Sequence, residues 1–559
     1  MKIRKVEIRH FRGINRLDWT VPSNFVCLIG SGDSTKSTIL EAIEYALSPR
    51  WNLSFDDTDF YQVKTDSTIF IRVTVGDLPA KLTTLSKYHG SLRGWSKTGQ
   101  LNDEPKPDDE SVLTVQLRVD DSLEPVWTAY TDRTLLEDAK RFSAKDRERL
   151  GAVKLGSYVD RHLTWSKGSV LSKLTGDLDT MPSILAEANR KALQVVDLTS
   201  VKELPEAAQK VSDYGKEIGV KPTGTYDAKL DLKALSLSVG GISLHDDQVP
   251  VRNAGLGTKR LLALALQRSS QESNGISLVD ELEHGLEPHR IRRLLQVLRK
   301  NEGQVILTTH SPVVVTELKA TDLCLVRSSG GVTKVLSIGR DMQAVVRSCP
   351  DAFLAKKVIV CEGATEVGFC RALDNHWANQ HQGSPFAYSG ITQIDGGGTS
   401  AAGRAKALKE LQYEVAFVVD TDVPTNPSIG DLTRAGIEII SWNDNSSVEK
   451  RLISDLPWKG VLEILNEVFR VCNDESSVRD SINSAVNEQW FDKNDSIENW
   501  DDKPEVRTGI VFMLEKKKWL KNISGGEKLG EISIKHLDNM SATDSAIKVE
   551  KLKTWASED

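Results

Sequence analysis

The sequence predicts an α/β protein with more than one parallel-stranded part, and two observations predict it. Short apolar runs typical of fully buried parallel strands end in glycine or an acid, as in "FVCLIG" (25–30), "ISLVDE" (276–281), "VIVCEG" (358–363) and "AFVVD" (416–420). Stretches with helical spacing lie between them, such as "STKSTILEAIEYAL" (34–47), whose apolar residues share one face.

Length and composition limit the class of protein. A chain of 559 residues is long enough for two or three domains, and its 39% hydrophobic and 27% charged residues are ordinary for a soluble protein. No apolar run approaches the ~20 residues that span a bilayer, and the start lacks the pattern of a signal peptide. We therefore expect a cytoplasmic protein without membrane contact. The six cysteines show no metal-binding spacing, and a net charge of −7 does not exclude a local nucleic-acid surface.

A glycine loop after the first apolar strand predicts a nucleotide site. In "GSGDSTKS" (30–37), Gly30 and Gly32 allow backbone N–H groups to surround a phosphate. Lys36 suits the β and γ oxygens, and Ser37 suits Mg²⁺. Thr35 stands where the usual pattern has a second glycine. Taken alone, the stretch also fits an incidental turn before a helix.

Three later motifs support the nucleotide site. The strand at 276–281 ends in Asp280, which suits Mg²⁺, and Glu281, which suits the base for an attacking water. The strand "QVILTTH" (304–310) ends in His310, placed to contact a γ-phosphate. "NAGLGTKR" (253–260) is a Gly-rich turn that opens a helix. Each has a structural alternative on its own, such as an acidic helix start or a structural histidine.

The order of these motifs resembles the ATP-binding-cassette heads of the structural-maintenance-of-chromosomes, double-strand-break-repair and recombination-mediator group. The resemblance implies ATP with Mg²⁺ as cofactor and heads that work as dimers. Gly255 and Gly257 would then form the signature that faces a second head, and Gln62 would be the Q-loop residue. We expect residues 1–80 and 231–350 to form the ATPase head. Residues 81–230 are expected to form a mostly helical insertion that mediates dimerisation, and a strand is expected at 233–244.

Four carboxylates in the second half predict a metal site. Glu362 and Asp420 each end an apolar strand, and functional side chains of parallel sheets lie at such ends. Glu366 follows four residues after the first acid, and Asp422 two residues after the second. Carboxylates gathered in this way repel one another unless cations lie between them, and Mg²⁺ or Mn²⁺ suits such oxygens. A solvated Asp-x-Asp turn is the structural alternative.

"EGATE" followed by "DTD" resembles the Toprim domain of topoisomerases, primases and nucleases, which we expect over residues 351–559 together with a helical C-terminal extension. An ATPase head followed by Toprim resembles the overcoming-lysogenization-defect (OLD) nucleases, some of which act in anti-phage systems. The resemblance makes Glu362, Glu366, Asp420, Asp422 and Glu449 metal ligands. It also implies a lysine within "EKKKWLKN" that stabilises transition-state charge, with Lys518 preferred and Lys521 in reserve.

The predicted function is an ATP-regulated, divalent-metal-dependent DNA endonuclease, with phage defence as the expected role. Its expected partners are DNA, further copies of the chain as a dimer or tetramer, and a defence-system protein or an RNA/DNA element. The alternative is a nucleotide-switched DNA-binding or scaffold protein without cleavage activity. Cleavage of plasmid DNA in the presence of a metal separates the two.

Overall fold

The computed structural model describes residues 1–558 apart from short gaps. These gaps are 51–52, 84–85, 134–138, 156–159, 167–168, 176–180, 196–200, 202, 218–219, 222, 227, 229–241, 271–274, 301–302, 382–384 and 487–496. Most of the strand expected at 233–244 lies outside the described residues.

The strands are β1 Lys2–Phe11, β2 Ile14–Thr20, β3 Phe25–Ile29, β4 Ile69–Gly76, β5 Arg93–Trp95, β6 Leu101–Asn102, β7 Glu110–Val119, β8 Val126–Tyr130, β9 Ala152–Leu155, β10 His245–Asp246, β11 Val249–Pro250, β12 Ile276–Val279, β13 Gln304–Thr308, β14 Leu323–Ser329, β15 Val332–Ser337, β16 Lys357–Cys361, β17 Ile391–Asp395, β18 Glu414–Val419 and β19 Glu438–Ser441.

The helices are α1 Lys36–Leu47, α2 Ala80–Thr83, α3 Ser86–His89, α4 Ala144–Glu148, α5 Val170–Thr175, α6 Met181–Val195, α7 Glu203–Glu217, α8 Leu256–Ser270, α9 Pro288–Leu298, α10 Pro312–Glu317, α11 Gln343–Ser348, α12 Ala364–His381, α13 Pro385–Tyr388, α14 Ala401–Glu410, α15 Ile429–Arg434, α16 Val448–Asp455, α17 Trp458–Cys472, α18 Glu475–Val486, α19 Pro504–Lys517, α20 Ile523–Lys535 and α21 Asp544–Ser557. Within the described residues, no helix is long and apolar enough to cross a membrane.

The N-terminal part is built on one large mixed sheet with the strand order β6-β5-β7-β4-β1-β2-β15-β14-β3-β13-β12-β9. Strands β14, β3, β13, β12 and β9 run parallel to one another, whereas β2, β1, β4 and β7 form an antiparallel half. Strands β12 and β13 are buried along their whole length, as expected where helices cover both faces of a parallel sheet. The predicted α/β head is confirmed.

The prediction that residues 81–230 are mostly helical is wrong for the first half of that segment. Strands β5 to β9 lie in it, and β7 pairs with β4 in the main sheet. Two buried residues of β7 are polar. Thr114 forms a hydrogen bond with Thr74 at 2.9 Å, and Gln116 accepts a hydrogen bond from Arg72 at 2.7 Å. These buried polar residues hid the strand, because they interrupt the apolar run that identifies one. Apart from the short helices α2, α3 and α4, the described helices of the segment are α5 to α7, which lie between residues 170 and 217.

The C-terminal part contains a four-stranded sheet in the order β17-β16-β18-β19, with all three pairings parallel. This is the parallel α/β arrangement predicted for residues 351–559. One apolar core continues from the head into this sheet, since Leu307 and Ile29 belong to the same buried cluster as Val360 and Phe417. A second core lies on the other side of the small sheet and contains the C-terminal helices.

Candidate functional site

The phosphate loop connects β3 to α1 and folds around the amine of its own lysine. Lys36 Nζ donates to Ser31 O at 2.7 Å, to Ser34 Oγ at 3.0 Å and to Gly30 O at 3.1 Å. Burial lowers the pKa of Lys36 to about 8. Neutral oxygens stabilise an ammonium group less well than charged phosphate oxygens do. The buried Lys36 is therefore suited to bind the phosphates of a nucleoside triphosphate.

Backbone conformation explains two positions of the loop. Gly30 has φ +141°, and a Cβ there would lie 2.7 Å from a carbonyl of β14. Thr35 also has a left-handed conformation, with φ 68°, although it carries a Cβ. Its hydroxyl lies 2.6 Å from the carbonyl of Ser34 and 3.3 Å from Thr333 Oγ1, which offsets part of a strain of ~1 kcal/mol. A Cβ at Gly32 would meet nothing within 4 Å.

The structure brings the two predicted magnesium residues together. Ser37 Oγ donates to Asp280 Oδ1 at 2.9 Å, and Thr308 Oγ1 donates to the same oxygen at 2.7 Å. Lys154 Nζ lies 3.9 Å from Asp280 Oδ2. Thr308 and Lys154 were missed by the sequence analysis. Thr308 lies two residues before the predicted histidine, whereas Lys154 belongs to edge strand β9, in the segment expected to be helical.

The other two predicted residues of the ATPase chemistry lie at the rim of the site. Glu281 has φ 46°, and its side chain is 41% exposed with Oε2 3.8 Å from His284 Nδ1. His310 is exposed, and its backbone N–H donates to Glu283 Oε1 at 2.6 Å. Partial burial and the charge of Lys36 lower the pKa of His310 below its ordinary value. His310 is therefore neutral at pH 7.

The Gly-rich helix start packs against the end of β12 in the same head. Arg260 of α8 is fully buried and donates to the backbone carbonyl of Glu281 at 2.7 Å, a contact that the sequence analysis missed. A Cβ at Gly257 would overlap the carbonyl of Gly285, so this close approach requires glycine. Gly255 is exposed with open space around it. Its predicted contact with a second head stays a prediction.

Gln62 lies on a 3-10 turn with φ 55°, its side chain is exposed, and it donates to the hydroxyl of Tyr61 at 3.4 Å. Its role as the Q-loop residue stays a prediction. The acidic stretch before it forms a capped turn, in which Asp59 binds Arg12 at 2.8 Å.

The predicted acids of the second half meet at the carboxyl ends of β16 and β18. Glu362 follows β16 and Asp420 follows β18, and the two strands are parallel neighbours. Glu362 Oε2 accepts from the backbone N–H of Asp420 at 2.9 Å. Asp420 Oδ1 accepts from the N–H of Val448 at 2.9 Å, which brings in Glu449 on the first turn of α16.

Lys521 lies among these acids. Its Nζ is 3.3 Å from Glu449 Oε2 and 3.8 Å from Asp420 Oδ2. Glu366, on the first turn of α12, accepts from the N–H of Gly363 at 2.8 Å. We call Glu362, Glu366, Asp420 and Glu449 the acid cluster. Glu366, Asp420 and Glu449 are each at most 5% exposed.

Burial and mutual repulsion make Glu362, Glu366 and Asp420 harder to ionise than free carboxyl groups. Burial, followed by the charge of Glu366, raises the pKa of Asp420 to about 8. Burial also raises the pKa of Glu366 to about 7 and raises that of Glu362 above its ordinary value. Burial alone would lower the pKa of Lys521, but the carboxylates around it outweigh this effect and raise it.

Of the two candidate lysines, the structure brings Lys521 and not Lys518 to the acid cluster. Lys518 is the exposed residue directly after α19, with φ 54°. Loose spacing in a lysine-rich stretch could not separate the two, because the turn after α19 decides which one points at the acids. Asp422 is exposed beside the cluster, and its charge contributes to the raised pKa of Glu362.

A close crossing of α12 and α20 holds Lys521 near Glu366. A Cβ at Gly368 would overlap the carbonyl of Ile523, and a Cβ at Gly526 would overlap that of Thr365. Glycines at a helix crossing let two backbones approach closely. The crossing was not predicted from the sequence, although "SGGEKLG" (524–530) places three glycines within a helical stretch. Such a composition disfavours a helix unless close packing requires it.

The chemistry of the acid cluster fits a divalent cation. Four carboxylates supply the hard oxygen donors that Mg²⁺ and Mn²⁺ prefer. Burial and the neighbouring carboxylates raise the pKa values of Glu366 and Asp420, and a cation between the acids would offset both effects. Within the described part of the chain, no three His, Cys, Asp and Glu side chains form a finished metal cage. Lys521 and backbone N–H groups instead occupy several of the carboxylate oxygens.

Comparisons with known proteins give two family matches. Residues 25–316 match the family described as "AAA domain, putative AbiEii toxin, Type IV TA system". Residues 353–422 match the family described as "Overcoming lysogenization defect protein-like, TOPRIM domain". No curated protein matches the chain.

Three solved structures are similar to part of this chain. A Smc head bound to the C-terminal winged-helix domain of ScpA is 16% identical, with TM-score 0.35 over 61% of this chain and 100% of that one. A Smc head from Pyrococcus furiosus with an extended coiled coil, bound to the C-terminal domain of ScpA, is 14% identical, with TM-score 0.33 over 62% and 98%. The SMC head domain from Thermotoga maritima is 13% identical, with TM-score 0.29 over 61% and 100%.

Fold and site together define a nucleotide-binding ATPase head joined to a Toprim domain. The chain belongs to the AAA-domain family that its N-terminal part matches, and with its OLD-like TOPRIM domain it has the architecture of an OLD-family nuclease. Both parts of the predicted resemblance are thereby confirmed.

Proposed function

We propose that this protein is a DNA endonuclease that requires a divalent metal and is controlled by nucleotide binding at its ATPase head. The observation that carries the proposal is the acid cluster with Lys521, which lies at the carboxyl ends of two parallel strands. Toprim domains supply a nuclease-type function, and the ATPase head supplies a nucleotide site. Mg²⁺ is the proposed ion at both sites, with Mn²⁺ as a substitute at the acid cluster.

The residues of the chain divide the chemistry of phosphodiester hydrolysis among them. Glu362, Glu366, Asp420 and Glu449 would hold the cation, which when bound supplies Lewis-acid stabilisation of the phosphate. Lys521 stays protonated at neutral pH, because the surrounding carboxylates raise its pKa. Its ammonium neutralises negative charge that develops on a phosphate beside the acid cluster.

Nucleotide control has a physical route through the shared core. Strand β14 pairs with β3, which leads into the phosphate loop, and Arg327 of β14 stacks 3.7 Å from the ring centroid of Tyr413. Tyr413 is buried directly before β18, the strand that ends at Asp420. A change at the loop can therefore shift the strand that carries a cluster acid without any flexible linker.

The substrate and partners complete the proposal. The substrate is DNA, the role is anti-phage defence, and the trigger is a defence-system protein or an RNA/DNA element. The proposed assembly is a dimer or tetramer in which heads pair through Gly255. Exposed apolar residues on helices α6 and α7, such as Ile184 and Tyr214, add a surface for self-association.

Plasmid cleavage tests the proposed activity. Wild-type protein with Mg²⁺ or Mn²⁺ should linearise or nick supercoiled plasmid DNA, and chelation should stop it. Asp420→Asn should reduce cleavage by at least about 100-fold, because it removes a carboxylate ligand. Asp431→Asn, an exposed acid on α15, is the matched control and should cut like the wild type. Wild-type-like cutting by Asp420→Asn would refute the assignment of the acid cluster.

A nucleotide-switched DNA-binding protein without cleavage activity is the second candidate. The left-handed Thr35 favours it, since a strained loop binds nucleotide without being tuned for rapid turnover. ATP-dependent DNA binding with intact plasmid in every metal would support this candidate instead.

A further inference from the structure

The end of helix α19 carries three consecutive lysines, Lys516, Lys517 and Lys518, all of which are exposed. We call them the lysine patch. Lys516 Nζ lies 5.3 Å from the ring centroid of Phe512, which is itself 52% exposed. Lys521, and not the predicted Lys518, contacts the acid cluster. The lysine patch therefore does not have the role that was predicted for Lys518.

The patch has no acidic partner among the described residues. Among the residues that the structure describes, no ion pair includes these three lysines, and the neighbouring acid, Glu515, has another partner. Glu515 Oε1 instead accepts from Ser447 Oγ at 2.9 Å. Adjacent cations without counter-ions repel one another, so the patch presents a positive potential that an external anion would neutralise.

The patch is tied to the acid cluster from two sides. Lys521 donates its backbone N–H to Lys518 O at 3.2 Å, a tight turn that keeps the two Cα atoms within about 7 Å. On the other side, Glu515 accepts a hydrogen bond from Ser447, which is the N-cap of α16. The next residue, Val448, donates its backbone N–H to Asp420. The backbone of Lys518 therefore has a set position three residues before Lys521, the lysine that contacts the acids.

We propose that the lysine patch binds backbone phosphates of the DNA strand next to the phosphate that is cut. The inference rests on the proposed function and adds the surface that holds the substrate. The whole chain carries a net charge of −7, which opposes DNA binding in general. Three adjacent cations close in sequence to Lys521 counter this charge locally and hold the strand by its phosphates.

Salt-dependent DNA binding tests the patch. Affinity of full-length protein for a labelled duplex is measured by fluorescence anisotropy with Ca²⁺ between 50 and 200 mM salt. Log affinity falls as log salt rises, and replacing all three lysines by alanine should make this slope less negative by about 3. The change corresponds to roughly 0.9 for each lost phosphate contact. In Mg²⁺ cleavage assays the KM for DNA should rise several-fold with kcat retained, and replacement of all three by arginine should restore both.

The control removes the same charge elsewhere. Three exposed lysines of the ATPase part are changed to alanine together, namely Lys64, Lys106 and Lys145, and the slope and KM should stay as in the wild type. An unchanged slope and KM in the patch variant, or equal losses in patch and control variants, would overturn the inference. If the wild type cuts no DNA with any metal, the proposed function fails, whereas the binding slope still decides the role of the patch.

Discussion

At the scale of single residues, burial decides how the charged groups of both sites behave. Lys36 and Asp420 are each about 5% exposed, and both have pKa values shifted towards the neutral form by burial. Each is therefore a group that gains from a ligand of opposite charge, phosphate in one case and a metal cation in the other.

The metal-free protein should lose stability as the pH rises. Asp420 has a pKa of about 8 in the folded chain against an ordinary 3.8, so the folded state holds a proton that the unfolded state releases above pH 4. The free energy of unfolding should fall between about pH 4 and pH 8. Asp420→Asn should raise it by about 1–2 kcal/mol at pH 8 in chelator, measured by urea unfolding. Exposed Asp422→Asn is the control, and an equal gain from both would contradict the explanation.

Binding of ATP rather than its turnover should set the cleavage state. Lys36→Ala removes charge-assisted bonds worth about 1.5–3 kcal/mol and should weaken ATP binding by about 10- to 100-fold in calorimetry. The effect of ATP on DNA cleavage should disappear with it. Glu281→Gln should change cleavage less, because that side chain is 41% exposed at the rim. Rapid ATP hydrolysis that is lost in Glu281→Gln together with control of cleavage would prove this wrong.

At the scale of elements, the ends of parallel strands and one helix crossing build the acid cluster. Strands β16 and β18 bring Glu362 and Asp420 to one edge, because adjacent parallel strands end on the same side of a sheet. Helices α12 and α20 then add Glu366 and Lys521, and their spacing depends on the glycines at the crossing.

Widening that crossing should separate Lys521 from the acids. Gly526→Val places a side chain against the Thr365 carbonyl, which forces α20 away from α12. DNA cleavage should fall by 10-fold or more while circular dichroism keeps the helical signal. Gly403→Ala on α14 is the control, since a Cβ there meets nothing within 4 Å and alanine favours a helix. Full activity of Gly526→Val would exclude the crossing as a positioning element.

At the scale of the whole molecule, the head and the Toprim sheet share one apolar core. The buried cluster runs from Leu307 in the head through Met342 and Phe353 to Val360 and Phe417 in the small sheet. Flexibly linked domains would each close their own core. The two parts of this chain are instead expected to move and unfold together.

Calorimetry should therefore show one main unfolding transition for the full chain. A fragment covering residues 351–559 would expose the shared face, including Val358 and Phe417, and should aggregate or bind hydrophobic dyes. Changing Phe353 to alanine should destabilise both parts, by about 3–5 kcal/mol, because it empties space between them. Two separate transitions, with a folded and soluble fragment, would contradict the shared core.

The sequence by itself determined the two-part α/β architecture, the phosphate loop, the Asp280 strand and the acids Glu362 and Asp420. These signals are local, since each consists of a buried strand and the polar residues that directly follow it. Tertiary structure alone decided the rest. It selected Lys521 over Lys518 through a turn and a helix crossing, placed Lys154 and Thr308 beside Asp280, and paired β7 with β4. These contacts join residues that are far apart in the chain. A local sequence pattern does not determine which distant residues pack together, so they could not be predicted from it.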